Sequence, residues 1–328
     1  MTRKIRRVLV AIRDVDRVPP SQLRKAATLA RAAGARIELF HANSEPVIAE
    51  NVRRSQRMRG LGTSVDWIVK KSQERLERLC DSPVFAGLKV ASHTVRDYPP
   101  HEAVVRRVQA TRADIVVAAS QTHHLAGRLF LLNTDWELIR YCPCPILFVK
   151  SRGDYRRPTL LAAVDPFHEN AKPANLERHL LQSASALARA LRGQVHVFHA
   201  YLPLAMRFVV PLETAPVWLP TGAEEANSAR VARAFNRLAQ SAGIPRRRRH
   251  LSMSDVPGGL RAAIRKVGAD IVVMGAVSRS GLRRFFIGST AERVLDELRC
   301  DALIIKPPGF KAAPSKMRTP VLATALYS

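Results

Sequence analysis

Ala269-Asp-Ile-Val-Val-Met-Gly-Ala-Val-Ser-Arg-Ser-Gly-Leu-Arg-Arg-Phe-Phe-Ile-Gly-Ser-Thr290 is the stretch whose reading decides the fold. Its apolar run, Ile271 to Met274, reads as a fully buried strand, and Gly275 breaks it into a loop rich in glycine, hydroxyl and arginine. Beyond Thr290 the apolar residues of Ala291 to Arg299 fall at helical spacing. A strand, a small-residue loop and a helix start together form an anion site: glycines admit a phosphate to the backbone N–H groups, and the helix N-terminus favours negative charge.

The same pattern occurs earlier in the chain. Ala113-Asp-Ile-Val-Val117 recurs 156 residues later as Ala269-Asp-Ile-Val-Val273, and that offset carries Thr134 to Thr290, Cys144 to Cys300 and Lys150 to Lys306 without a gap. Phe40-His41-Ala42 recurs as Phe198-His199-Ala200, and Leu160 to Asp165 matches the opening strand, Val8 to Ile12. In the first copy the periodicity predicts a helix over 21–33, a strand over 36–42, a helix over 64–80 and a strand over 88–92. A helix over 102–111, a strand over 115–119, a helix over 135–140 and a strand over 146–149 follow. Strands alternating with helices imply a parallel sheet covered on both faces, built twice. The domains run 1–152 and 153–310, joined by the polar Ser151 to Pro158, and 311–328 reads as a disordered tail.

The copies differ where chemistry would sit. Gly275, Gly281, Gly288 and Ser289 replace Ala119, Leu125, Leu132 and Asn133, and each added side chain in copy one crowds the approach a phosphate needs. Asp165 closes the opening strand of copy two at the carboxyl edge, where open α/β sheets bind ligands, whereas copy one has Arg13-Asp14 there. Asp165 before Pro166 faces a ligand or starts a turn; Ser289 and Thr290 bond a phosphate, cap a helix, or do both.

Gly275, two residues, Ser278, nine residues, Gly288 and Ser289 resemble the nucleotide signature of the universal stress protein family, with Ser278 standing where the second glycine falls. Arg279 to Leu282 and Cys300 to Lys306 are similar to the family's loop continuation and final strand; Asn133-Thr-Asp-Trp136 with Cys142 to Lys150 resembles a two-domain member. The resemblance spans residues 5 to 310. It implies two Rossmann-like, nucleotide-binding folds, each an open five-stranded parallel sheet, related by a pseudo-twofold with the final strands pairing as an intramolecular pseudo-dimer. It further implies a non-enzymatic cytoplasmic stress-response protein whose ligand is ATP or a related nucleotide, with no metal beyond magnesium carried by that nucleotide. Carried onto this sequence, Ala163 and Asp165 face the nucleoside, Ala200 and Met274 lie against base or ribose, and Gly275, Ser278, Arg279, Gly288, Ser289 and Thr290 hold the phosphates. A left-handed backbone at Ser278 would cost about 1 kcal/mol or more.

Composition frames a rival. The 328 residues are 47% hydrophobic, enough to fill two cores, and carry a formal charge of +26. Such a surface attracts nucleic acid or anionic membranes in a salt-sensitive way, so a polyanion-binding stress module is the alternative. The densest cluster, Pro245-Arg-Arg-Arg-Arg-His250, lacks interleaved aromatics and reads as a solvated loop. The apolar segment from Tyr201 to Pro220 either covers a groove or lines a pocket. His123-His124 lacks a third metal ligand, Cys142 and Cys144 read as packing residues rather than a redox pair, and His41 and His199 read as a repeated structural pair. No apolar run reaches about 18 residues, and no catalytic motif is present.

Overall fold

The computed structural model describes residues 4–44, 62–120, 133–167, 175–207, 220–276, 294–295 and 297–310. Two compact units divide between Asp154 and Tyr155. In the first, β1 (Arg7–Ile12), α1 (Pro20–Ala33), β2 (Arg36–Asn43), α2 (Gly62–Cys80), β3 (Val90–Arg96), α3 (Pro100–Thr111), β4 (Ile115–Ala119), α4 (Asn133–Tyr141) and β5 (Ile146–Val149) alternate as the patterning implies. The described strands lie in the order β3-β2-β1-β4-β5 and pair in parallel.

The second unit repeats this with β6 (Thr159–Ala163), α5 (Leu176–Ala190), β7 (Gln194–Tyr201), the short α6 (Leu204–Arg207), α7 (Ala223–Ser241), β8 (Arg249–Met253), α8 (Val256–Val267), β9 (Ile271–Gly275) and β10 (Asp301–Ile305). Its described strands run β8-β7-β6-β9-β10, again parallel. Prolines at the first turns of α1 and α3, whose fixed φ suits a helix start, and left-handed Gly34 and Gly268 after α1 and α8 set the helix limits.

Both faces of each sheet are covered. On β2, Glu38 pairs with Arg107 of α3 while Asn43 bonds Ser72 of α2; their odd separation puts them on opposite faces. On β7, Phe198 meets the Gly259 backbone of α8 and the next residue, His199, stacks near Phe235 of α7. The central strands are buried throughout: Val8, Leu9, Val10, Val116, Val117, Leu160, Leu161, Ile271, Val272 and Val273 are at most 2% exposed.

Two sequence expectations need correcting. The third strand spans Val90–Arg96 rather than 88–92, because its polar residues continue to pair with β2 as far as Asn43↔Arg96 on a half-buried edge where apolar alternation is lost. The basic cluster is not simply a solvated loop: Arg246–Arg248 make a 3-10 turn, and Arg249 and His250 open the edge strand β8.

Candidate functional site

In each sheet the chain order reverses at one point, between β1 and β4 and between β6 and β9, and a crevice outside the carboxyl ends of such strands is where open sheets take ligands. In the second unit the register Leu160↔Ile271 to Ala162↔Val273 carries the ends of β6 and β9 side by side. Ala163 is half-buried at the end of β6, and Asp165 lies two residues beyond it. Asp165 Oδ1 accepts the Phe167 N–H at 3.2 Å, so the residue does start a turn and is thereby held at the sheet edge. Gly275 closes β9 beside Ile305, and the Ala276 N–H donates to the Ile305 carbonyl at 2.8 Å. Ala200 and Met274 form largely buried wall, 8% and 9% exposed.

The exit of β6 is pinned by a histidine. His199 Nδ1 lies 2.9 Å from the Val164 carbonyl, and because a carbonyl only accepts, Nδ1 carries the proton. His41 makes the same 2.9 Å bond to Ile12 in the first unit, so the repeated histidines are structural pins one residue before the edge. Phe167 packs against His199 at 6.3 Å and under the Arg230 guanidinium at 4.7 Å, which puts an aromatic ring and a cation at this edge. Neither residue was among the sequence candidates; a lone Phe after Asp-Pro and one arginine among many carry no pattern. At Gly275 an added Cβ would stand 3.0 Å from Leu176 Cδ2, so the glycine lets the first residue of α5 seat against the strand end. Ser278, Arg279, Gly288, Ser289, Thr290 and the pair His123-His124 lie outside the described residues.

In the first unit the matching histidine bonds equate Ile12 with Val164, so Arg13 takes the place of Asp165. Its Nη2 donates to Asp135 Oδ1 at 2.8 Å, and the Asp135 side chain is 1% exposed in the first turn of α4. A carboxylate in the first turn of α4 suits the helix dipole. The cleft along Arg13, Gln22 and Ala119 encloses about 10 Å³, room for at most one water. Where the first unit has the Arg13–Asp135 ion pair at this edge, the second has Asp165.

The universal stress protein family model matches residues 4–150 and again 159–306. The chain belongs to the universal stress protein family. It is 26% identical over 311 residues to universal stress protein E of Photorhabdus laumondii, covering 92% of this chain and 96% of that relative. The Escherichia coli universal stress protein E is 25% identical over 314 residues, covering 92% and 95%. Among solved structures, a protein of unknown function from Pseudomonas aeruginosa superposes with a TM-score of 0.67 at 22% identity over 92% of this chain and 93% of that one. A universal stress protein from Archaeoglobus fulgidus gives 0.62 at 13% identity, covering 91% and 98%. At these identities the structural likenesses speak for the fold.

Other repeated residues of this universal stress protein are structural. Asp114 Oδ2 accepts the Arg6 and Arg7 N–H groups at 2.8 and 3.0 Å, and Asp270 Oδ2 accepts the Thr159 N–H at 2.8 Å, so the Asp of the repeated pentapeptide clasps the start of the neighbouring strand in each unit. Cys142 and Cys144 are buried thiols with no disulfide between them, 3.7 Å apart; the Cys142 thiol and burial push Cys144 well up, keeping it protonated and poorly nucleophilic. Among the described residues no three His, Cys, Asp or Glu side chains gather as metal ligands, and no helix is long and apolar enough to cross a membrane. Most of the apolar segment after Tyr201 lies outside the described residues.

Proposed function

We propose that this universal stress protein is a cytoplasmic stress-response protein acting by binding rather than catalysis, and that it takes an adenine nucleotide or related phosphate ligand at the carboxyl edge of its second unit, one site per chain. The observation that carries the reading is the contrast between the two switch points: Asp165 and Gly275 flank one, while at the other Arg13 is paired with buried Asp135. A carboxylate accepts hydroxyl hydrogen bonds, which suits Asp165 to a ribose, and the small residue at Gly275 brings the start of α5 close to where the loop leaves. Ser278, Arg279, Gly288, Ser289 and Thr290 would hold the phosphates by the family signature, and magnesium would arrive with the nucleotide. Free buried thiols suit a reducing compartment. Mass spectrometry of small molecules released from the purified protein tests the reading. Nucleotide released by the parent chain and missing from Asp165→Ala is expected; release undiminished by that change removes Asp165 from the site.

A further inference from the structure

The arginine cluster remains unexplained by that reading, and it lines a cleft of its own. Arg233 and Arg237 on the carboxyl half of α7 and Arg246 and Arg249 at the amino end of β8 border a space of about 640 Å³, within the range of small-ligand clefts. Since the strands are parallel, this amino end lies opposite the edge carrying Asp165 and Gly275. From Ala226 to Ser254 the chain has seven arginines and no Asp or Glu, and among the described residues no carboxylate lines the cleft. Several arginines elsewhere are neutralised in place: Arg13, Arg75, Arg106 and Arg140 each hold an acid within 2.8 Å. Arg233, Arg237 and Arg246, all exposed, make no ion pair among the described residues. Arg233 and Arg237 stand one helical turn apart, a spacing at which like charges repel.

Arg249 is braced. Its Nε donates to the Ile244 carbonyl at 2.8 Å and its Nη1 to Asn236 Oδ1 at 3.0 Å, which fixes one guanidinium before any ligand arrives. Four planar forks suit phosphoryl oxygens, which they grip two at a time. The aromatic ring at the cleft, Phe235, is 1% exposed, so no face is offered for base stacking. The four arginines converge on one cleft rather than running along a groove, a spacing that suits a compact ligand more than an extended polymer.

We propose that the cleft between α7 and β8 binds a compact oligophosphate, a molecule with three or more linked phosphoryl groups, independently of the nucleotide edge. Inorganic tripolyphosphate is the probe, titrated calorimetrically into the full chain at low and at physiological salt. Saturable binding is expected that weakens at least tenfold in Arg233→Ala/Arg237→Ala, with Arg246→Ala weaker by a smaller factor. The control pair Arg189→Ala/Arg265→Ala, exposed arginines outside the cleft, removes the same charge and should change affinity less than twofold. Asp165→Ala should leave this binding intact, so failure of one site does not imply failure of the other. Equal weakening by both arginine pairs, no saturation, or an oligonucleotide that binds at the cleft without displacement by tripolyphosphate overturns the proposal. Arg233→Gln/Arg237→Gln provides the check should the alanine pair fold poorly.

Discussion

Replacing Arg13 by alanine probes the closed edge of the first unit. At 2.8 Å the guanidinium and carboxylate attract by about 6 kcal/mol at an effective dielectric near 20, and desolvation offsets much of that. Asp135 is 1% exposed and Arg13 29%, so the change strands a buried carboxylate while removing a partly solvated cation. Losing one member of a fully buried pair costs about 3–5 kcal/mol; with Arg13 partly in water we expect about 2–3 kcal/mol. In a unit of this size that lowers the melting temperature by about 4–12 °C. A double-mutant cycle with Asp135→Asn, followed by urea denaturation, separates the pair from its surroundings. Coupling of about 1–2 kcal/mol is expected. If Arg13→Ala shifts stability by less than about 0.5 kcal/mol, with coupling no larger, the ion pair does not close the edge.

Gly193→Ala in the second unit would place a Cβ 2.1 Å from the Pro158 carbonyl oxygen, a backbone clash, and should cost about 2–4 kcal/mol in urea denaturation, whereas Gly153→Ala, with nothing within 4 Å, should be near neutral. His196 Nδ1 sits 2.8 Å from His250 Nε2 on stacked rings, and burial, His250 and Arg248 together lower His196 to about 4. The unfolded chain therefore binds this proton first: the stabilisation is complete above about 6.5 and is lost as pH falls towards 4, by about 1 kcal/mol after allowing for the half-exposed ring. Burial also lowers His93, His101, His179 and His250, in the same sense. Melting temperature should fall between pH 7 and pH 5, and His196→Gln should flatten that slope; an unchanged slope would contradict the assignment.

Much of the fold can be read from the chain because a buried parallel strand needs an uninterrupted apolar run, and Ile115–Ala119 and Ile146–Val149 are such runs with sharp polar limits. Pairing on one side does not require apolar residues, so the edge strand β3 was expected too short, over 88–92, and β8 escaped because Arg249-His250 looked like part of a charged loop. The repeat indicated which edge kept its glycines and set Arg13-Asp14 against Asp165; the shared histidine bonds select Arg13 of the two. Nor could it join Arg13 to Asp135, 122 residues apart, since ion pairing follows from the reversal point of the sheet rather than from spacing. Phe167 and Arg230 were invisible for the same reason: the turn after Asp165 brings a ring from one segment under a cation from another.

Equilibrium dialysis of labelled ATP with magnesium against the parent chain, Asp165→Ala, Gly288→Val and Arg13→Ala tests the claim of one ligand edge per chain most directly. A stoichiometry of about one is expected, lost or strongly weakened in Asp165→Ala and Gly288→Val and retained in Arg13→Ala. Two sites per chain, or binding that survives both second-unit changes, would contradict it.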